Sequence, residues 1–205
     1  MENKDTQIKH AITFGYPLDF GLVIEKSFEN YKKIALLGGA TILLLMIALI
    51  GIGFTMFTAF MGVSDLTETL TDFNPLNFST VGILIYIGVM VLISGLFSPI
   101  GAGFLKMAHL AEENKEFTMG TVFYYYKTIH FKELFISASL LAVVNLGIST
   151  TLDSMGLTFL GTIITYIIGF LTFLTAPLII FANQNAFEAI TKSAQLIIKN
   201  PFIIF

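Results

Sequence analysis

His109, Glu112 and Glu113, in the stretch MAHLAEEN, stand at i, i+3 and i+4. On a helix that spacing brings an imidazole and two carboxylates to one face, a donor set able to hold a metal. One histidine without a second cluster nearby does not complete such a site, and a charged, water-facing helix end accounts for the same residues. His10 and His130 are isolated in the sequence. Asp65, Glu68 and Asp72 offer carboxylate oxygens, but their segment lacks the dense oxygen-ligand pattern of a calcium loop. A solvated acidic loop is the simpler reading. The chain has no cysteine, which excludes disulfides, thiolate metal sites and cysteine nucleophiles together. No GxSxG, P-loop, dinucleotide fingerprint or HExxH occurs, and Ser94, Ser98 and Ser154 have no histidine at matching depth. A membrane-embedded hydrolase would need His109 and the Glu112–Glu113 pair to meet a serine or a metal. The expectation is therefore a protein that is not an enzyme, with no catalytic residue, cofactor or metal.

The elements around these residues follow from hydropathy. Of 205 residues, 55% are hydrophobic and 12% charged, and mean hydropathy is +0.83. A soluble domain carries about 25% charged residues, twice that share. The surface cannot be mostly water-facing, so the expected class is an all-α, polytopic transmembrane protein forming one integral membrane domain over residues 1–205. Four spans are expected: Ile34 to about Gly62, Val81–Leu105, Phe135 to about Thr151, and Leu157–Phe181. Phe202–Phe205 would begin a fifth. None of these segments contains Asp, Glu, Lys or His, so the ionisable groups of a proton relay or ion pathway are missing.

All eleven cations are lysine. Each lies before span one, between spans two and three, or after span four; the two opposite loops carry Asp65, Glu68, Asp72 and Asp153 but no lysine. The positive-inside rule then places the N-terminus in the cytoplasm and the chain in the cytoplasmic (inner) membrane. The net charge of −3 argues against nucleic acid as a partner.

Three cytoplasmic segments share a pattern. Phe20, Phe117 and Phe187 each stand thirteen residues before the position where an apolar run follows, at Lys33, His130 and Asn200. Phe20, Val23, Ile24 and Tyr31 recur at helical spacing opposite charged residues, and so do Phe187, Ile190, Ala194 and Ile198. Both read as amphipathic helices on the membrane surface. In the middle segment Tyr124, Tyr125 and Tyr126 suit the headgroup level. Asp19 is the expected cap of the first helix, and Asn185 with Glu188 forms a capping box for the third. Pro99 and Pro177 free backbone carbonyls near the cytoplasmic ends of spans two and four and permit bends there. The unit is a surface helix plus a transmembrane hairpin, roughly residues 18–110 and 115–182, with an incomplete third at 185–205.

Within the spans Asn145 is the most polar side chain and is expected to bond across helices or to line a polar cavity. Thr162, Thr165, Thr172 and Thr175 either line a path or bond their own helix. Ala138 with Ala142, and Gly95, Gly101 and Gly103 around Pro99, point to close packing and bending.

The stretches KSFENYKKIALL, FSPIGAGFLKMAHLAEE and APLIIFANQNAFEAITKSAQLIIKNPF resemble a broad family of bacterial six-span membrane proteins. The family includes the membrane domain attached to some glycerophosphoryl diester phosphodiesterases. The resemblance implies six spans in three hairpins and no active site here, because the catalytic residues of those enzymes lie in a separate soluble domain. The expected role is a non-enzymatic structural, accessory or partner-binding subunit in contact with membrane lipids and with another membrane protein or a second copy. The alternative is a transporter or lipid translocator for a weakly polar substrate. The incomplete third unit predicts a native polypeptide that continues for one or two spans beyond Phe205. Native mass spectrometry of protein extracted from its own membrane should then read above 22.6 kDa. A bare chain of that mass would make Pro201–Phe205 a short anchor.

Overall fold

A computed structural model describes residues 4–14, 19–61 and 78–199, and among these the fold is all α-helical. The expected fifth span at Phe202–Phe205 and the acidic Asp65, Glu68 and Asp72 lie outside the described residues. Helix α1 covers Lys4–Phe14, α2 Phe20–Met61 and α3 Thr80–Glu112. A 3-10 helix, Met119–Lys127, precedes α4, His130–Ser154. Then come α5, Thr158–Leu171, α6, Thr175–Ala182, and α7, Ala186–Lys199.

Four stretches are long and apolar enough to cross a membrane: Gly21–Thr55 within α2, all of α3, all of α4, and Thr158–Ala182 across α5 and α6. The shorter ones have 25 residues, about 38 Å of helix against a hydrocarbon core of about 30 Å. The spans pack in a row in which α3 lies between α2 and α4, and α4 between α3 and α5. The core gathers at the lysine-rich end, where Ala102, Tyr125, Leu134, Leu178, Ile179, Ile180, Ala189 and Leu196 meet. Helix α1 lays Ile8, Ala11 and Ile12 on its edge.

The three segments aligned in the sequence adopt three different forms. In the first, Asp19 caps as expected, its Oδ1 accepting from the Leu22 N–H at 3.1 Å. The expected break before Ile34 is absent. Residues 20–61 form one helix of 42 residues, about 63 Å long, because neither proline nor glycine stands between Glu25 and Leu37 to stop it. Val23, Ile24 and Tyr31 remain exposed along its first turns.

The second segment is a 3-10 turn rather than an amphipathic α-helix. Tyr125 is 3% exposed and belongs to the core instead of facing outward, and burial pushes its phenol up to about 12. The Tyr126 hydroxyl donates to the Leu96 carbonyl of α3. Only Tyr124 stays half exposed, with Lys106 Nζ 5.1 Å from its ring centroid. Phe117 precedes the 3-10 helix and is half-buried.

The third segment, α7, is a separate amphipathic helix. It turns Ala186, Ala189, Ser193, Leu196 and Ile197 inward, leaves Phe187 and Ile198 exposed, and half-buries Ile190. Its start is capped by two elements. Asn185 Oδ1 accepts from the Glu188 N–H at 2.9 Å, and Glu133 of α4 accepts from the Ala186 N–H at 2.8 Å. Glu188 itself reaches toward Lys192 at 3.7 Å instead of closing the expected capping box.

The two prolines behave differently. Helix α3 runs through Pro99 to Glu112 without interruption, and the ring is fully buried. Pro99 sits in a stripe of small residues that admits neighbours. A Cβ on Gly95 would fall 2.5 Å from Ser139 Oγ, and one on Gly103 only 2.0 Å from the Val122 carbonyl oxygen. Gly101 faces open space. At Pro177 the span is interrupted: α5 ends at Leu171 and α6 begins at Thr175. Pro177 falls in the first turn of α6, where a missing N–H removes no intrahelical bond.

Because the Val122 carbonyl is backbone and cannot rotate away, Gly103→Ala should destabilise the protein by about 1–3 kcal/mol or prevent folding. Gly101→Ala should be neutral or stabilising by up to about 1 kcal/mol. Thermal unfolding of the two variants in detergent checks the pair.

Candidate functional site

The interruption in span four leaves backbone groups that the helices cannot satisfy themselves. One side chain takes two of them. Ser193 of α7, fully buried, donates from Oγ to the Leu171 carbonyl at 2.8 Å and accepts from the Leu174 N–H at 3.1 Å. Thr172 and Thr175 close the remaining turn through backbone bonds to Ile168 and Thr172. At the far end of α6, Asn183 adopts a left-handed conformation with φ 53°, and the Gln184 N–H returns to the Leu178 carbonyl at 3.2 Å. Ser193 carried no signal in the sequence beyond being a small polar residue on the inward face of an amphipathic helix.

Two cavities flank this interrupted segment. One, of about 470 Å³, lies between α1, α6 and α7, with Ile8, Ala11, Pro177, Leu178, Phe181 and Leu196 in its wall. The other, of about 480 Å³, lies between α2, α3 and α6 and is lined by Asn30, Leu105, Ala108, His109, Glu112 and Phe181. Phe181 lines both. Its ring meets that of His109 edge-on, with centroids 5.1 Å apart.

Lysine 33 closes α2 onto the end of α3 beside the second cavity. Its Nζ donates to Glu29 Oε1 at 2.9 Å, to Asn114 Oδ1 at 3.0 Å and to the Ala111 carbonyl at 3.3 Å. The last contact places a cation at a helix C-terminus, where the exposed carbonyls favour it.

The structure separates the metal-like triplet. Glu113 pairs with Lys115 at 2.9 Å, which holds its carboxyl below the usual range, while His109 Nε2 lies 3.8 Å from its other oxygen. Glu112 is exposed and stands at the wall of the second cavity. Among the described residues no group of three histidine or acidic side chains could hold a metal. His10 stacks near Phe14, and His130 meets Tyr125 edge-on.

Asn145 does not make the expected bond across helices through its carbonyl oxygen: among the described residues Oδ1 is buried without a partner, as are Ser139 Oγ and Thr175 Oγ1. Thr162, Thr165 and Thr172 donate to carbonyls of their own helix. Neither of the two cavities includes Asn145 or these threonines. Ala138 and Ala142 are half-buried, and the buried positions of α4 are Leu134 and Ser137, one register over. There the Leu134 carbonyl accepts from both Ser98 of α3 at 3.1 Å and Ser137 at 3.0 Å. Compared with models of known protein families, with curated proteins and with solved structures, the chain matches none.

Removing the Ser193 hydroxyl would strand a donor and an acceptor at the break. Ser193→Ala should cost about 1–3 kcal/mol. Thr191→Ala, which removes only a bond to the Phe187 carbonyl of the same helix, should stay within about 0.5 kcal/mol. Chemical denaturation in mixed micelles reads the difference.

Proposed function

We propose that this chain is a non-enzymatic subunit of the cytoplasmic membrane, working through contact with lipid and with another membrane protein or a second copy. The observation that carries the reading is where its apolar side chains lie. In the most apolar stretch of each of the four spanning helices only 6 to 22% is buried inside the protein. Leu36, Ile50, Val81, Phe159 and Tyr166 are all more than 60% exposed. A soluble monomer does not present surface of this kind over four helices, whereas hydrocarbon solvates it without cost. The bonds of Thr162, Thr165 and Thr172 to carbonyls of their own helix are compatible with a packing role. The eleven lysines support an N-terminus in the cytoplasm.

The cysteine-free chain makes both parts directly testable. The protein should stay in the membrane pellet after alkaline carbonate extraction. Met155→Cys, between α4 and α5, should react with an impermeant maleimide in intact cells. Lys115→Cys, after α3, should react only once the membrane is opened. The reverse pattern would invert the orientation, and release by carbonate would end the membrane reading.

A further inference from the structure

The cavity between α2, α3 and α6 differs from the slot on the other side of Phe181. Its neighbour is walled almost wholly by aliphatic and aromatic groups, with Gln7 the one polar side chain among those that line it. This one combines an apolar floor of Leu105, Ala108 and Phe181 with three polar groups, Asn30, His109 and Glu112. Charge decides what it would accept. Glu113 is neutralised by Lys115, and Lys33 is held by Glu29, Asn114 and the Ala111 carbonyl. Among the described residues no cation pairs with the Glu112 carboxylate. An anionic group entering the cavity would meet that carboxylate, whereas an ammonium would be drawn to it. The adjacent Phe181 ring adds an aromatic surface of the kind that attracts ammonium ions.

Building on the membrane reading above, we propose that this cavity binds the ammonium end of a zwitterionic lipid headgroup. Glu112 supplies the counter-charge, Asn30 a hydrogen-bonding group, and Phe181 with His109 the ring wall. The lipid's alkyl chain lies in the slot beyond Phe181, against Ile8, Ala11, Pro177 and Leu196. The two cavities then serve one amphiphile because α6 places a single aromatic side chain between a polar and an apolar compartment. Both lie at the lysine-rich end of the bundle, the level at which headgroups meet acyl chains in the leaflet proposed to be cytoplasmic. Phe181 belongs to α6, the segment that follows the break whose backbone groups Ser193 satisfies.

The test is native mass spectrometry of the full chain in detergent, titrated with phosphatidylethanolamine or phosphatidylglycerol. Phosphatidylethanolamine should be retained in preference. Glu112→Gln should weaken that retention about tenfold, the size of one charge-assisted contact. Glu113→Gln, whose partner is Lys115, should leave it unchanged. Circular dichroism confirms that both variants fold. Equal retention of the two lipids, or a Glu112→Gln variant that holds phosphatidylethanolamine as the native chain does, would overturn the site. Ethanolamine alone binding as tightly as the lipid would assign the cavity to a soluble amine and overturn the lipid source. A chain that resists carbonate extraction yet treats both lipids alike fails this proposal while the membrane reading stands; a chain released by carbonate fails both.

Discussion

In hydrocarbon no water is present to satisfy a backbone N–H or C=O, so an interrupted helix must find partners inside the protein. The break between Leu171 and Thr175 is where that constraint acts most directly. The Ser193 hydroxyl, donating to one side of the break and accepting from the other, satisfies the groups that the interruption exposes. Beyond the break α6 lies in the core, where Leu178, Ile179 and Ile180 pack beside Leu134 and Ala189. It also orients Phe181 between two cavities. The same buried hydroxyl ties α7 to the bundle, so one surface-seeking helix becomes part of the interior.

A second set of contacts depends on missing side chains. Gly95 admits Ser139 and Phe135 of α4, and Gly103 admits the backbone of the 3-10 helix at Val122. Between them lies Pro99, which does not break α3. The helix continues through the buried ring, with close contacts on either side of it at Gly95 and Gly103. At Pro177 no helix needs to continue through the ring, since the turn lies just before it. Polar anchors complete the lysine-rich end: Lys33 fastens α2 to the C-terminus of α3, and Glu133 fastens α4 to the N-terminus of α7. Each joins a charge to a helix terminus of complementary sign.

Away from the lysine-rich end the spans are more loosely held. Helices α2 and α5 stand at the two edges of the row, and their apolar faces are open. The core is concentrated where charged and aromatic residues are dense, which puts the stabilising contacts and the candidate site in the same region. The lipid-facing length of the helices needs no comparable network, because their backbone bonds are internal and their side chains match the solvent.

Hydropathy and lysine placement carried the class, the four spanning stretches and the expected orientation, because these depend on transfer of whole segments between water and hydrocarbon. The Asp19 cap was legible for a related reason: an N-cap is a local contact over three residues. Partner choice was not local, and there the sequence was silent or misleading. Tyr124, Tyr125 and Tyr126 look alike in a row, yet one is core, one bonds Leu96 and one faces Lys106, because a 3-10 turn points successive side chains about a third of a turn apart. His109 and Glu112 drew notice as metal ligands, but only the approach of Asn30 and Phe181 from two other helices made them walls of a cavity. Asn145 stands out as the most polar side chain of a span, yet its Oδ1 has no partner among the described residues, while Ser98, Ser193 and Glu133 bond groups 19 to 53 residues away. Segment solvation is additive along the chain and so can be read from composition. Which hydroxyl meets which orphaned carbonyl depends on how helices cross, and that is decided only when the whole bundle packs.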